Sequence, residues 1–188
     1  MKHLENAIAL YVPEGNLPLM FQYGGADARV RSLSYRLLTL WQLGYPDQAL
    51  ERGNEALALA QRLSHPFSLA FAGWCFGVMR QLRREAQAAL EHAETMIALS
   101  AEYGFNDQLA WNTGLRGWAM TEQGRNEEGL THILDGLAAS RARGAELWRP
   151  YALCMLADAC RETGRLNDGL GALTEALAAA DEQDNRPL

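Results

Sequence analysis

The residues able to do chemistry in this chain are its histidines, cysteines and serines, and their spacing assigns them little of it. The four histidines are His3, His65, His92 and His132. None stands one helical turn from another His or from a Cys, the arrangement that a metal-binding helix face needs. His65 precedes Pro66, which suits a turn or a helix cap. The three cysteines, Cys75, Cys154 and Cys160, are odd in number and match no metal spacing. Their apolar helical context reads as small core residues in a reducing compartment. Ser32, Ser34, Ser64, Ser68, Ser100 and Ser140 lie outside any nucleophile elbow. No catalytic, metal-binding or cofactor-binding residue is expected.

The totals agree with that restraint. Lys and Arg number 17 against 23 Asp and Glu, a net charge of -6. An acidic balance argues against nucleic-acid binding, which needs a basic face to displace counterions. No apolar stretch approaches the 18 residues of a membrane span, and "MKHLENAIALYVPEG" has too short an apolar run, with an early Glu5, for a signal peptide. The expectation is a cytoplasmic protein with no membrane partner. "RQLRRE" from Arg80 reads as a solvated helix end.

What must position any site is a repeat. "WQLGYPDQAL", "TEQGRNEEGL" and "RETGRLNDGL" share a skeleton at intervals of 40 residues. One column holds Gly44, Arg84, Gly124 and Gly164, and a second Ala49, Ala89, Gly129 and Gly169. A third holds Leu50, Leu90, Leu130 and Leu170, and a fourth Leu57, Ile97, Leu137 and Leu177. Leucines seven apart mark one face of a helix, so Leu57, Leu90, Leu130 and Leu137 are expected to be buried between hairpins. The small residue before each Leu admits a neighbouring helix. The glycine of the first column suits a left-handed C-cap; Arg84 breaks it and predicts a looser turn. Pro46 fits a first helical turn. His92 and His132 share a column and hence a kind of surrounding.

The pattern predicts an all-α chain with first helices at about 28–43, 67–81, 107–123 and 148–163, and second helices at about 46–63, 85–102, 126–143 and 166–183. They pair as hairpins at about 27–64, 65–104, 105–144 and 145–185 in one array over 1–188, with a partial unit at 1–26. Gly44, Ala49 and Ala56 resemble the tetratricopeptide (TPR) hairpin, although its usual unit is about 34 residues. The resemblance implies TPR-like hairpins in a right-handed superhelix. More specifically, "LWQLGYPDQAL", "ALALAQRLSHPFSLAFA", "GWAMTEQGRNEEGL" and "LADACRETGRLNDGLGALTEAL" resemble the TPR-like C-terminal region of large bacterial signalling ATPases and adenylate-cyclase-type regulators. The chain carries neither a phosphate-binding loop nor a cyclase acidic pair, so no catalytic residue transfers.

TPR hairpins line a concave groove from their first helices. The resemblance places Arg31, Ser34, Trp41, Phe71, Trp74, Trp111, Trp118, Tyr151 and Asp158 there. It implies a non-enzymatic scaffold that binds a protein, a peptide or other domains of a parent signalling chain. A small-molecule sensor with an aromatic-lined groove is the alternative. The last helix carries Leu170, Leu173, Leu177 and Ala180 on one stripe, with an outer edge left exposed. A homodimer through the C-terminal hairpin is expected to cover it.

Overall fold

The protein's computed structural model describes residues 25–184 together with His3, Glu5 and Asn6, which are helical; most of the expected partial unit lies outside the described residues. Eight helices run from Ala28 onward, and no strand occurs among the described residues. They are α1 (Ala28–Gln42), α2 (Pro46–Arg62), α3 (Pro66–Leu82), α4 (Ala86–Tyr103), α5 (Asn106–Glu122), α6 (Asn126–Ala142), α7 (Arg149–Glu162) and α8 (Leu166–Asp184). The fold is all-α, built of helical hairpin repeats.

The connections are more regular than the sequence suggests. Left-handed backbone occurs at Gly44, Ser64, Arg84, Gly104, Gly124, Gly144 and Gly164, each twenty residues after the last. At α5, the amide of Gly124 donates to the Thr121 carbonyl at 3.0 Å and that of Arg125 to the Met120 carbonyl at 2.9 Å. The same pair of bonds closes the ends of α1, α6 and α7. It satisfies carbonyls that a helix end otherwise leaves bare. The positive φ expected at Gly124 and Gly164 is present, at 82° and 71°. The looser turn expected at Arg84 is not: Arg84 takes a φ of 59° itself. Its side chain supplies the reason, described below.

By its internal packing the chain divides into two compact units, residues 1–83 and 84–188, with the division falling inside the expected 65–104 hairpin. In the first, α1, α2 and α3 pack on one another around Val30, Leu33, Ala56 and Ala60. Asp27 caps α1, its Oδ1 accepting from the amides of Arg29 and Val30 at 3.0 Å each. His65 caps α3, Nδ1 accepting from the Ser68 amide at 3.2 Å. The Ser68 hydroxyl in turn accepts from the Asp27 amide at 2.8 Å, so the two caps interlock. A side chain that satisfies an orphan amide is worth about 1 kcal/mol.

In the second unit α5 packs on α4, α6 and α7, and α8 packs on α7. Trp118, Leu130, Ile133 and Met155 share its main core cluster. The contact of α5 with α6 runs backbone to backbone. A Cβ on Gly117 would stand 2.5 Å from the Gly129 carbonyl oxygen and 2.8 Å from the Ile133 amide nitrogen. A Cβ on Gly129 would meet the Gly117 carbonyl oxygen at 2.5 Å. Glycine is required at this crossing because no side chain fits between the backbones.

This closeness corrects the expected burial. Leu90 and Leu130 are buried, but Leu57 and Leu137 are only half-buried. The interior column lies one residue earlier, at Ala56, Met96, Gly136 and Ala176, because closely approaching helices reserve the seam mostly for small residues. Cys75 and Cys160 are buried as expected; Cys154 is exposed, since it falls on the outer face of α7 between the inward-facing Leu153 and Met155.

Candidate functional site

Asp158, on α7, is the hub of a polar network in the second unit. One carboxylate oxygen accepts from the Trp118 indole Nε1 at 3.0 Å. The Arg84 guanidinium grips both oxygens and also reaches Glu122 at 3.0 Å. Arg161 adds a bond at 3.1 Å. Burial alone would raise the Asp158 carboxyl, but the hydrogen bonds from Arg84, Trp118 and Arg161 outweigh it and hold its pKa below the ordinary carboxylate value. Arg84 also lies 5.9 Å over the Trp118 ring, a cation–π distance. One side chain thus ties the start of α4 to α5 and α7. The basic stretch from Arg80 is therefore more than a solvated helix end, and the loss of the turn glycine exchanges backbone ease for a three-helix bridge.

The residues expected to line a groove differ in how far they are covered. Trp118 is 0% exposed, and Asp158, engaged by three donors, is half-buried. In the first unit Trp74 is 2% exposed, Phe71 is buried in an edge contact with Tyr35 at 5.7 Å, and Ser34 is buried with its hydroxyl on the Val30 carbonyl at 2.8 Å. Arg31 is exposed and Trp41 half-buried. Trp74 and Trp118 fill the interior, where their large apolar area is worth most.

Trp111 and Tyr151 have a different setting. Trp148, ahead of α7, meets the Trp111 ring edge-on at 6.3 Å and the Tyr151 ring edge-on at 6.3 Å. Burial raises the Tyr151 phenol above its ordinary pKa, with a smaller contribution from Cys154. Beside this aromatic row lies a cavity of about 290 Å³. Trp111, Trp148, Leu134, Leu137, Leu153 and Leu156 supply apolar wall. At the rim Arg149 spans two carboxylates, Glu146 at 3.2 Å and Glu175 at 2.5 Å. The hydrogen bond that Arg149 donates to Glu175, and then the one it donates to Glu146, raise its pKa above the ordinary value. The sequence pattern passes over Trp148, Glu146, Arg149 and Glu175, because three of the four lie in the 143–148 connection or at the first residue of α7, off the first-helix stripe. Their one sequence signal is a Trp beside an Arg-Pro helix start.

His132 lies against Arg116, its Nδ1 3.1 Å from the guanidinium. Burial, then Arg116, lowers its pKa. His92, forty residues earlier, is half-buried like His132. Among the described residues no group of three or more His, Cys, Asp or Glu is placed to hold a metal ion, and no helix is long and apolar enough to cross a membrane.

No protein-family model matches the chain. It is 24% identical over 182 residues to an uncharacterized protein of Rhizobium meliloti (strain 1021), a match covering 95% of this chain and 17% of that protein. The chain thus spans about a sixth of the length of that relative. Among solved structures it is similar to BtubC (BKLC) from P. vanneervenii, with a TM-score of 0.55 at 14% identity over 98% of this chain and 94% of that one. The crystal structure of MamA aligns with a TM-score of 0.46 at 17% identity, over 84% and 81% of the two chains. The likeness to BtubC is one of fold.

Proposed function

We propose that this chain is a non-enzymatic protein-binding module of a larger bacterial signalling protein, working in the cytoplasm. The tryptophan-walled cavity of the second unit carries the reading. It is apolar inside, and its rim is an ion-paired arginine. Such a site suits one bulky apolar side chain of a peptide, entering between Trp111 and Leu153 while peptide polar groups meet Arg149, Glu146 and Glu175. Aromatic walls offer rigid contact area and are enriched where binding energy concentrates. Of the residues proposed from the sequence, Trp111 lines this cavity together with Trp148, and Tyr151 packs edge-on against Trp148 beside it. The bacterial relative, of which the chain matches a sixth, supports a place within a longer chain.

The cavity volume also supports a second reading, a sensor of a small metabolite, since small-molecule pockets begin at about 300 Å³. A displayed peptide library selected on the full chain separates the two. Peptide binding predicts selected sequences that share one bulky apolar anchor and lose at least about tenfold affinity, about 1.4 kcal/mol, on Trp148→Ala. A metabolite that raises the melting temperature only when Trp148 is present supports the sensor. Peptides that bind Trp148→Ala as well as the parent overturn the proposed site.

A further inference from the structure

The outer face of α8 carries a row of exposed leucines. Its inner seam consists of Gly169, Ala172, Ala176 and Ala179, all buried, with Ala172 and Ala176 packed on Leu153 and Ala157 of α7. A quarter-turn round the helix stand Leu166, Leu170, Leu173 and Leu177, exposed by 61%, 63%, 41% and 70%. Their steps of four, three and four residues follow the narrow seam of a coiled coil. Forty residues earlier the fold covers this face: Leu130 and Ile133 of α6 are buried in one cluster with Met155, Ala159 and Cys160 of α7. A leucine face at this register is therefore one that takes a helix.

We propose that the helix seated on α8 is α8 of a second copy, running antiparallel. Two features of the helix select this occupant. The spacing four, three, four reads the same in both directions, so an antiparallel copy sets Leu166 opposite the partner's Leu177 and Leu170 opposite the partner's Leu173. The charges are arranged head to tail as well. Residues 166–184 contain no Lys or Arg, and Asp181 and Glu182 lie exposed near their end. Half-exposed Arg165, paired with Asp168 at 2.8 Å, stands just before their start. Antiparallel pairing brings each arginine within a turn or so of the opposing acids, and opposes the helix dipoles favourably. Parallel pairing would stack acid on acid and arginine on arginine. The inference is independent of the cavity, which can fail its peptide test while this one passes.

Light scattering of the full chain over a concentration series tests it. The expected mass is twice 20.8 kDa, falling to 20.8 kDa for Leu173→Glu with its helical circular dichroism retained. Arg165→Glu and Glu182→Arg should each weaken association, and the double variant should restore it. Register is read in a Cys154→Ser background by oxidation. A mixture of Leu166→Cys and Leu177→Cys chains should cross-link, since opposed Cα atoms in a close helix pair come within disulfide reach, whereas either variant alone should not. A mass of 20.8 kDa throughout overturns the dimer. Cross-linking of either single variant with itself overturns the antiparallel register.

Discussion

Adding one methyl group at Gly117 sets two effects against each other. Within a helix, Gly→Ala gains about 1 kcal/mol of propensity. Here the new Cβ would stand 2.5 Å from the Gly129 carbonyl oxygen and 2.8 Å from the Ile133 amide nitrogen, where ordinary contact begins at 3.4 Å. The obstructing atoms are backbone, so no rotamer change relieves them. Helix α6 must retreat by about 0.9 Å at the crossing, which loosens Trp118, Leu130 and Ile133 together. Overpacking of this kind costs about 1–3 kcal/mol, and a forced backbone shift belongs at the upper end. Gly117→Ala should therefore destabilise the second unit by about 1–2 kcal/mol after the propensity gain is subtracted, lowering its melting temperature by about 4 °C or more per kcal/mol. Gly171→Ala is the control. It lies on the exposed side of α8 with nothing within 4 Å of the added carbon, and should stabilise by about 0.4–1 kcal/mol. Thermal and urea denaturation followed by circular dichroism measure both. A Gly117→Ala protein as stable as the parent would refute the close crossing of α5 and α6.

Three further outcomes are expected. Leu130→Ala should cost about 2–5 kcal/mol as a truncation inside the main cluster, measured by urea denaturation, whereas Leu170→Ala should change monomer stability little because that side chain is exposed. Arg84→Ala loses the bridge to Asp158 yet keeps the left-handed backbone, while Arg84→Gly loses the bridge and relieves the backbone; the glycine variant should be the more stable of the two by about 1 kcal/mol. The third concerns pH. Burial lowers the pKa of His65 below its ordinary value of 6.5, against a smaller opposing effect of Asp27. The unfolded chain therefore takes up a proton first, so the stability contributed by this cap is complete above pH 6.5 and is lost as pH falls below it. Protonation of Nδ1 would also end its acceptance of the Ser68 amide. Amide exchange at the start of α3 should quicken between pH 7 and 5 relative to other helix starts, and His65→Asn, whose cap does not titrate, should abolish that difference.

Helix placement was legible in the sequence because its signals are local. Gly44, Gly124 and Gly164 end helices, Pro46 and Pro66 begin them, and leucine periodicity marks what lies between. The twenty-residue period was hidden because Ser64 and Arg84 adopt backbone that glycine usually supplies, and a tertiary bridge from Arg84 to Asp158 cannot be read from spacing. Burial was misjudged by one residue at Leu57 and Leu137, since periodicity identifies a face but not how near the next helix comes. The same limit applies to the site. Trp111 and Tyr151 fall on the first-helix stripe, whereas Trp148 lies outside it and becomes a wall only when α7 starts where it does. Trp118 carries the same sequence signal as Trp111 yet is sealed in, because Asp158 happens to face it.

Connections repeating every twenty residues give this chain a problem of identity during folding. Helices of similar length, ended by the same turn, can be mistaken for one another, and a hairpin seated in its neighbour's place would satisfy every turn and most leucines. Such near-degenerate arrangements slow the search for the native state and invite exchange between copies. The features that distinguish one unit from another then act as labels. Gly117 and Gly129 admit each other and reject a helix with a side chain at that height. Arg84 finds paired acceptors on Asp158, where Trp118 and Leu38 occupy the same column. Replacing Arg84 by the glycine of its column would make the sequence more regular and its native order less well determined, so refolding from urea should show added slow phases even where equilibrium stability is unchanged.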